Sequence, residues 1–251
     1  DVTDPTVMAA APDEPLAVDA DCAVTVNATD IDDGSTDNCE FVIGISTTGV
    51  DGDGGTFAAP VESVDLEEGT DFDFPDCPAT VDVLLHVIDA CGNETVSDAV
   101  EVEVTDDTDP MPVTMVPPTF EVDADCQVTV TVADIENGST DNCTATGDLT
   151  FGVSTTGEIG DGMAEVVLED GTDFDLTVAC PAMDNIFLHV TDECGNEVVS
   201  DPVSVMIEDV TDPTATTQIP ATFEVDADCS VTVNATDIDD GSTDNCEFVI
   251  G

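Results

Sequence analysis

Lysine and arginine are absent from this 251-residue chain, and so are tryptophan and tyrosine. Two histidines stand against 59 Asp and Glu residues, giving a formal charge of -59. With no cationic side chain, no basic patch can meet a phosphate backbone or an anionic lipid surface, which excludes nucleic-acid binding and polybasic membrane attachment. Salt bridges within the protein are expected to be excluded as well. No run of 18 apolar residues is present, so no segment reads as a membrane-spanning helix. An initiator Met and a basic signal-peptide region are both lacking, and the chain reads as a mature segment of a longer product. None of the cysteines falls in C-x-x-C spacing, which argues against zinc. Aromatics amount to 4%, all Phe, so the exposed aromatic platform of a lectin is missing too.

What is present is apolar enough to fold. A hydrophobic content of 41% is too high for the acidic disordered class. The carboxylates therefore need neutralising from outside the chain. Hard divalent cations such as Ca2+, which take carboxylate and carbonyl oxygens, are the natural candidates. Ten cysteines at repeated spacings fit disulfides and an oxidising, extracellular compartment.

Self-comparison reveals a repeat of 103 to 105 residues. Asp19-Ala-Asp-Cys22 returns at 123–126 and 226–229, and Asp37-Asn-Cys39 returns at 141–143 and 244–246. Gly69 to Phe72 matches Gly171 to Phe174, and Asp89-Ala-Cys-Gly-Asn-Glu94 matches Asp192-Glu-Cys-Gly-Asn-Glu197. The expected modules are 1–104, 105–208 and a partial third, 209–251. Val225 to Gly251 repeats Val18 to Gly44 with only Ala23 replaced, by Ser230. A partial module cannot close a core, so the chain reads as a window on a longer array, or as one completed by strands of another chain.

Each module reads as all-β. Val24 and Val26 alternate with Thr25 and Asn27, Phe41, Ile43 and Ile45 with Val42, Gly44 and Ser46, and Val100, Val102 and Val104 with Glu101 and Glu103. Val81 to Asp89 is apolar on both faces and predicts a central strand. No segment shows helical periodicity. About seven short strands in about 104 residues is the arithmetic of an immunoglobulin-like β-sandwich, here in tandem.

Asp37-Asn-Cys39, Gly69 to Phe72, Cys77-Pro78, Asp89 to Asn93 and Val104 to Pro110 together resemble the hyalin-type (HYR-like) immunoglobulin repeats of giant bacterial surface adhesins, similar to those of gliding Bacteroidota. The resemblance implies a non-enzymatic, extracellular, cell-surface stalk or filament. Its partners would be neighbouring modules of the same or identical chains, with an unknown ligand at a tip outside the segment. The hyalin cysteine pair near the first and last strands is missing here.

In such a sandwich the second and sixth strands run parallel in facing sheets. The preferred disulfides are thus Cys22 to Cys77 and Cys39 to Cys91, repeated as Cys126 to Cys180 and Cys143 to Cys194. Pairing of Cys22 with Cys39 and of Cys77 with Cys91 stays open, as do buried thiols.

Candidate calcium ligands gather in the loops of one pole. In the first module they are Asp1, Asp4, Asp30, Asp32, Asp33, Asp37, Asn38, Asp89 and Asn93, with Glu94 nearby. In the second they are Asp134, Glu136, Asp141, Asn142, Asp192 and Asn196, with Glu197 nearby, facing linker residues Asp106, Asp107 and Asp109. Six to eight such oxygens suit calcium, although Asp30-Ile-Asp-Asp-Gly34 does not fit an EF-hand. Strand residues such as Glu101 and Glu103 read as a solvated face. Asp51 to Gly55 and Gly160 to Gly162 read as hairpin turns before a second metal site. His86 and His189 recur in mid-strand without a matched nucleophile and read as structural. The expected function is a fibre or stalk segment stiffened by calcium at its linkers. An acidic mineral-binding matrix protein and a carbohydrate-binding module are the alternatives.

Overall fold

The computed structural model describes residues 2–47, 62–74, 77–219 and 222–250. The chain divides into two compact units. One comprises Asp1–Met111, Thr140–Thr150 and Val190–Val198; the other comprises Pro112–Ser139, Phe151–His189 and Val199–Gly251. This division cuts across the sequence repeats. The second repeat's Asp-Asn-Cys and Asp-x-Cys-Gly-Asn loops belong to the first unit, together with the whole first repeat.

The first repeat folds into β1 (Leu16–Ala17), β2 (Ala23–Asn27), β3 (Phe41–Thr47), β4 (Ser63–Glu67), β5 (Ala79–Asp89), β6 (Glu94–Val96) and β7 (Val100–Thr105). One sheet runs β1-β7-β5-β3 with β6 on β5, and β2 pairs with β4. As its two-faced apolar sequence predicts, β5 is the central strand. Its N-terminal half meets β7 through Ala79↔Val104 and Val81↔Val102, and its C-terminal half meets β3 through Ile45↔Leu85 and Phe41↔Asp89. The period-2 alternation sends Val102 and Val104 inward and leaves Glu101 and Glu103 in solvent. Val26 and Leu66 from the β2–β4 pair join Ile45, Val83, Leu85 and Val87 from the larger sheet in one core, closed by Phe72 and Phe74.

The second repeat reproduces the plan with β8 (Phe120–Glu121), β9 (Gln127–Thr131), β10 (Thr150–Ser154), β11 (Glu165–Glu169), β12 (Ala182–Thr191), β13 (Glu197–Val199) and β14 (Val203–Glu208). The order is β10-β12-β14-β8 with β13 on β12, and β11 pairs with β9. The all-β immunoglobulin-like sandwich expected from the pattern is thus present.

Two single-turn helices were not legible as periodicity: α1 (Ala28–Ile31) and α2 (Val132–Ile135). One turn is too short to show a 3.6-residue repeat. Each is fixed by a carboxylate reaching back to the backbone N–H before the helix: Asn27 N–H donates to Asp30 Oδ2, and Thr131 N–H to Asp134 Oδ2, both at 2.8 Å.

The disulfides join different repeats. They are Cys22–Cys143, Cys77–Cys194 and Cys126–Cys246. This corrects the expected Cys22–Cys77 and Cys126–Cys180 pairs, the Cys143–Cys194 pair and the alternative Cys22–Cys39 and Cys77–Cys91 pairs; Cys39 and Cys91 are exposed. The physical reason lies at the exit of β7, where loops of the next repeat come within bonding reach of both cysteines. Cys22 and Cys77 do share a pole, at the exit of β7, where Val18 N–H bonds to Thr105 O and Cys77 Sγ lies 3.6 Å from Thr105 Oγ1. A sulfur enters only one disulfide, and both of these are taken. Each instead meets a cysteine of the next repeat, at Cα separations of 5.2 and 5.1 Å.

This pairing predicts a specific peptide map. Non-reducing digestion at acidic residues, the chain having no tryptic site, yields Cys22–Cys143, Cys77–Cys194 and Cys126–Cys246 peptides. Loss of the Cys22–Cys143 link alone, which closes a loop of 121 residues, lowers stability by about 4–5 kcal/mol in the chain-entropy view. A Cys22–Cys77 peptide would contradict the structure.

Candidate metal centre

Three loops of the first unit meet where β7 ends. The first is the linker Thr105 to Asp109; the other two are the loops bearing Asp141 and Asp192. Each is an aspartate turn in which a carboxylate caps backbone N–H groups. Asp106 Oδ1 accepts from Thr108 N–H at 2.9 Å. Asp141 Oδ2 accepts from Cys143 N–H at 2.9 Å and Thr144 N–H at 2.8 Å. Asp192 Oδ1 accepts from Asn196 N–H at 2.8 Å, and its Oδ2 from Asn196 Nδ2 at 2.7 Å. Asn196 Nδ2 also donates to Asp106 O at 2.8 Å, while Asn142 Nδ2 donates to Asp19 O at 3.2 Å. The loops are therefore held by side-chain amides as well as by the two disulfides, whose Cys143 and Cys194 lie two residues beyond the aspartates.

One ligand atom from each of Asp106, Asp141 and Asp192 lies within 4.8 Å of the others. Asp106 is only 2% exposed and Asp192 only 6%. Like charges held this close repel one another, and more strongly where water is excluded. Burial, followed by the Asp141 and Asp192 charges, raises the Asp106 carboxyl above the ordinary carboxylate range against the Thr108 hydrogen bonds. Three oxygens here are buried without a hydrogen-bond partner: Asp106 Oδ2, Asp141 Oδ1 and Asn142 Oδ1. An orphaned buried acceptor is costly unless a donor or cation meets it. The donor set is all hard oxygen, because both nearby sulfurs are locked in disulfides. It fits a hard divalent cation of the calcium or magnesium type and not a thiolate-bound metal.

The structure divides the expected ligands. Asp106, Asp141, Asn142, Asp192 and Asn196 converge, with Asn196 acting through its donors. Asp107, Asp109, Asp4, Asp33 and Asn38 are exposed. Asp30 and Asp134 cap the single-turn helices. Asp32 Oδ1 accepts from Ser35 N–H, Asp37 Oδ2 from Cys39 N–H, and Glu136 Oε1 from Gly138 and Ser139 N–H, so these three build turns. Burial tends to raise Asp89, but the Asn93 side chain and the N–H groups of Asn93, Cys91 and Gly92 outweigh it and hold the carboxyl below its ordinary value. Asp1 and the Asp51 to Gly55 loop lie outside the described residues. Gly160 to Gly162 lies in the hairpin closed by the Val153↔Met163 bridge.

A second polar cluster escaped sequence reading. The fully buried His86 places Nε2 2.8 Å from Ser46 Oγ and Nδ1 2.7 Å from Glu94 Oε1. The second repeat keeps Ser154 Oγ 2.7 Å from His189 Nε2, and a Cβ at Gly162 would lie 3.0 Å from the His189 side chain. The order serine, histidine, carboxylate is that of a nucleophilic relay, yet the imidazole is sealed from solvent. The network ties β3, β5 and β6 together. Its only sequence signal is the recurrence of His and of Glu eight residues later.

Asp106→Asn keeps an acceptor for Thr108 N–H while removing one of three like charges. In chelator at neutral pH it is expected to raise stability by about 1–3 kcal/mol, read by thermal or chemical denaturation. A carboxyl with a raised folded pKa favours the fold below its ordinary pKa and loses that contribution as pH rises through the folded value. The variant's advantage therefore disappears on acidification, when the wild-type Asp106 also becomes neutral. Exposed Asp107→Asn is expected to change stability by less than about 0.5 kcal/mol. Equal effects of the two would contradict a built cluster.

Neither a protein-family profile nor a curated protein sequence matches the chain. Solved structures similar to it include Drosophila N-cadherin EC1-4, at 14% identity and TM-score 0.41, covering 83% of this chain and 50% of that one. Protocadherin gamma B2 extracellular domains 3-6 match at 14% identity and TM-score 0.38, covering 87% and 53%. Fibronectin(III)-like modules of Clostridium thermocellum CbhA match at 14% identity and TM-score 0.27, covering 81% and 94%. The chain thus spans about half the length of the two cadherin structures. All three TM-scores fall below 0.5.

Proposed function

We propose that this chain is a load-bearing segment of an extracellular, repetitive surface adhesin or filament of the hyalin-type repeat class. Calcium fixes each linker to the following repeat, and disulfides lock the same place covalently. The observation that carries the reading is the buried Asp106–Asp141–Asp192 cluster with its three orphaned oxygens, set between two disulfides that each join consecutive repeats. A carboxylate cluster that repels itself when empty and closes around a cation is a stiffening device, because occupation ties three loops to one point. The bacterial cell surface, suggested by the resemblance of the repeat motifs, is part of the same proposal. Among the described residues no helix is long and apolar enough to cross a membrane.

An ion that binds only the folded state stabilises it by about 2.7 kcal/mol at a hundredfold excess over Kd. Calcium is expected to raise Tm and narrow the distribution of shapes in solution scattering, and chelation to reverse both. Asp106→Asn is expected to weaken calcium binding at least about tenfold, since charge count tunes such sites; Glu101→Gln on the solvated strand face leaves it unchanged. Melting and scattering curves indifferent to chelator would refute the calcium reading. Equal losses in the two variants would point to diffuse charge screening instead.

A further inference from the structure

At the exit of β7 the first repeat presents two cysteines to the second. Cys22 takes Cys143 of the Asp-Asn-Cys loop, and Cys77 takes Cys194 of the Asp-x-Cys-Gly-Asn loop. The second unit contains one half of this arrangement. Cys126, the counterpart of Cys22, is bonded to Cys246 of the third Asp-Asn-Cys loop. Asn245 Nδ2 donates to Asp123 O at 3.1 Å, as Asn142 does to Asp19 O. Cys180 is the counterpart of Cys77. Each lies two residues before the strand that pairs with the exit strand, through Ala182↔Ile207 in one case and Ala79↔Val104 in the other. Cys180 is an exposed free thiol.

We propose that Cys180 is the docking thiol for the Asp-x-Cys-Gly-Asn loop of a complete third repeat, and that the two form a second inter-repeat disulfide beside Cys126–Cys246. The occupant is identified by repetition of the first junction, where Cys77, the counterpart of Cys180, takes the Asp-x-Cys-Gly-Asn cysteine of the following repeat. Residues 225–251 repeat 18–44 with one change, yet their burial differs sharply. Val26 and Ile31 are 0% and 1% exposed, whereas their counterparts Val233 and Ile238 are 48% and 40% exposed. In the first repeat Val26 and Ile31 share a core with Leu66, Phe74, Val83 and Leu85. The counterparts of those strands would cover Val233 and Ile238, and they carry the loop whose cysteine corresponds to Cys91 and Cys194. Cys229 sits in the same left-handed turn, φ 59°, as the bonded Cys22 and Cys126 at 56° and 58°, and is the matching thiol for a junction one repeat further on.

The bond needs a two-electron oxidant, which a small-molecule disulfide such as oxidised glutathione supplies. The Cys180 thiolate attacks one glutathione sulfur and expels a glutathione thiolate; the loop thiolate then attacks Cys180 Sγ and expels the second. The two thiol protons end on two reduced glutathiones, and one S–S bond replaces another.

The inference rests on the inter-repeat assembly proposed above but not on calcium, so it is tested in chelator. The 251-residue chain is compared with the same chain continued after Gly251 by the sequence of residues 45–111. Both are refolded in a glutathione redox buffer, alkylated with iodoacetamide and mapped without reduction. Cys180 is expected to be alkylated in the shorter chain, and in the longer one to lose that alkylation and appear linked to the added Asp-Ala-Cys-Gly-Asn cysteine. Formation of Cys126–Cys246 reports that the junction has folded. Persistent alkylation of Cys180 with that link present would overturn the proposal, as would a Cys180–Cys229 link or a bond from Cys180 to Cys91 of another copy. Failure of Cys126–Cys246 to form would overturn the inter-repeat scheme as a whole. None of these outcomes bears on the calcium response, which the melting experiment reads separately.

Discussion

A chain with 59 carboxylates and no lysine or arginine must meet a buried aspartate with backbone N–H groups, with amide or hydroxyl side chains, or with a proton or cation from outside. Backbone N–H groups and amide side chains recur throughout. Asp89 is met by Cys91 N–H, Asn93 N–H and Asn93 Nδ2, and Asp192 by the corresponding groups of Asn196. Asp19 and Asp123 each take two N–H groups of the turn that positions Cys22 and Cys126. Local hydrogen bonding of this kind satisfies one carboxylate at a time and explains why so acidic a chain still builds regular turns. It fails where three carboxylates share one space. Among the described residues, Asp106 and Asp141 each keep a buried oxygen without a hydrogen-bond partner, and the proposed cation would answer that geometry.

The same deficit shapes how repeats are joined. A linker cannot be held by arginine or lysine, so covalent bonds and amide donors take the role. Cys22–Cys143 and Cys77–Cys194 flank the acidic cluster, and the Asn142 and Asn196 side chains donate to carbonyls of Asp19 and Asp106. A cross-link between neighbouring repeats resists extension along the chain, whereas one inside a sandwich would only reinforce a core that Val26, Leu85 and Val104 already fill. The proposed cation and the disulfides would act on one set of loops in different ways: the first reversibly and with ion concentration, the second permanently in an oxidising medium.

Much of this was legible in the residues. The alternation Val100, Val102, Val104 gave β7, the two-faced run from Val81 to Asp89 gave the central β5, and recurrence of the Asp-Asn-Cys and Asp-x-Cys-Gly-Asn loops singled out Asp141 and Asp192. Period-2 pattern and repetition are local properties, and a sequence displays them directly. The cysteine partners were not legible, because spacing shows which end of a strand a cysteine occupies and not which repeat faces that end. Nor could the crowd of acidic loop residues be sorted. Asp30 and Asp106 look equally suited to bind metal, yet Asp30 is occupied by Asn27 N–H three residues back while Asp106 is buried beside two other aspartates. The Ser46–His86–Glu94 network depends on cross-strand register, which no single-strand pattern reveals.

The central claim is that a cation sits among Asp106, Asp141 and Asp192 and that these acids are not merely a solvated surface. Anomalous diffraction from crystals of the chain grown with calcium, or with terbium in its place, measures this directly. The account predicts a peak within about 2.3–2.6 Å of Asp106 Oδ2, Asp141 Oδ1 and an Asp192 oxygen. Anomalous density confined to exposed strand-face carboxylates such as Glu101 and Glu103, with none between the three buried aspartates, would contradict it.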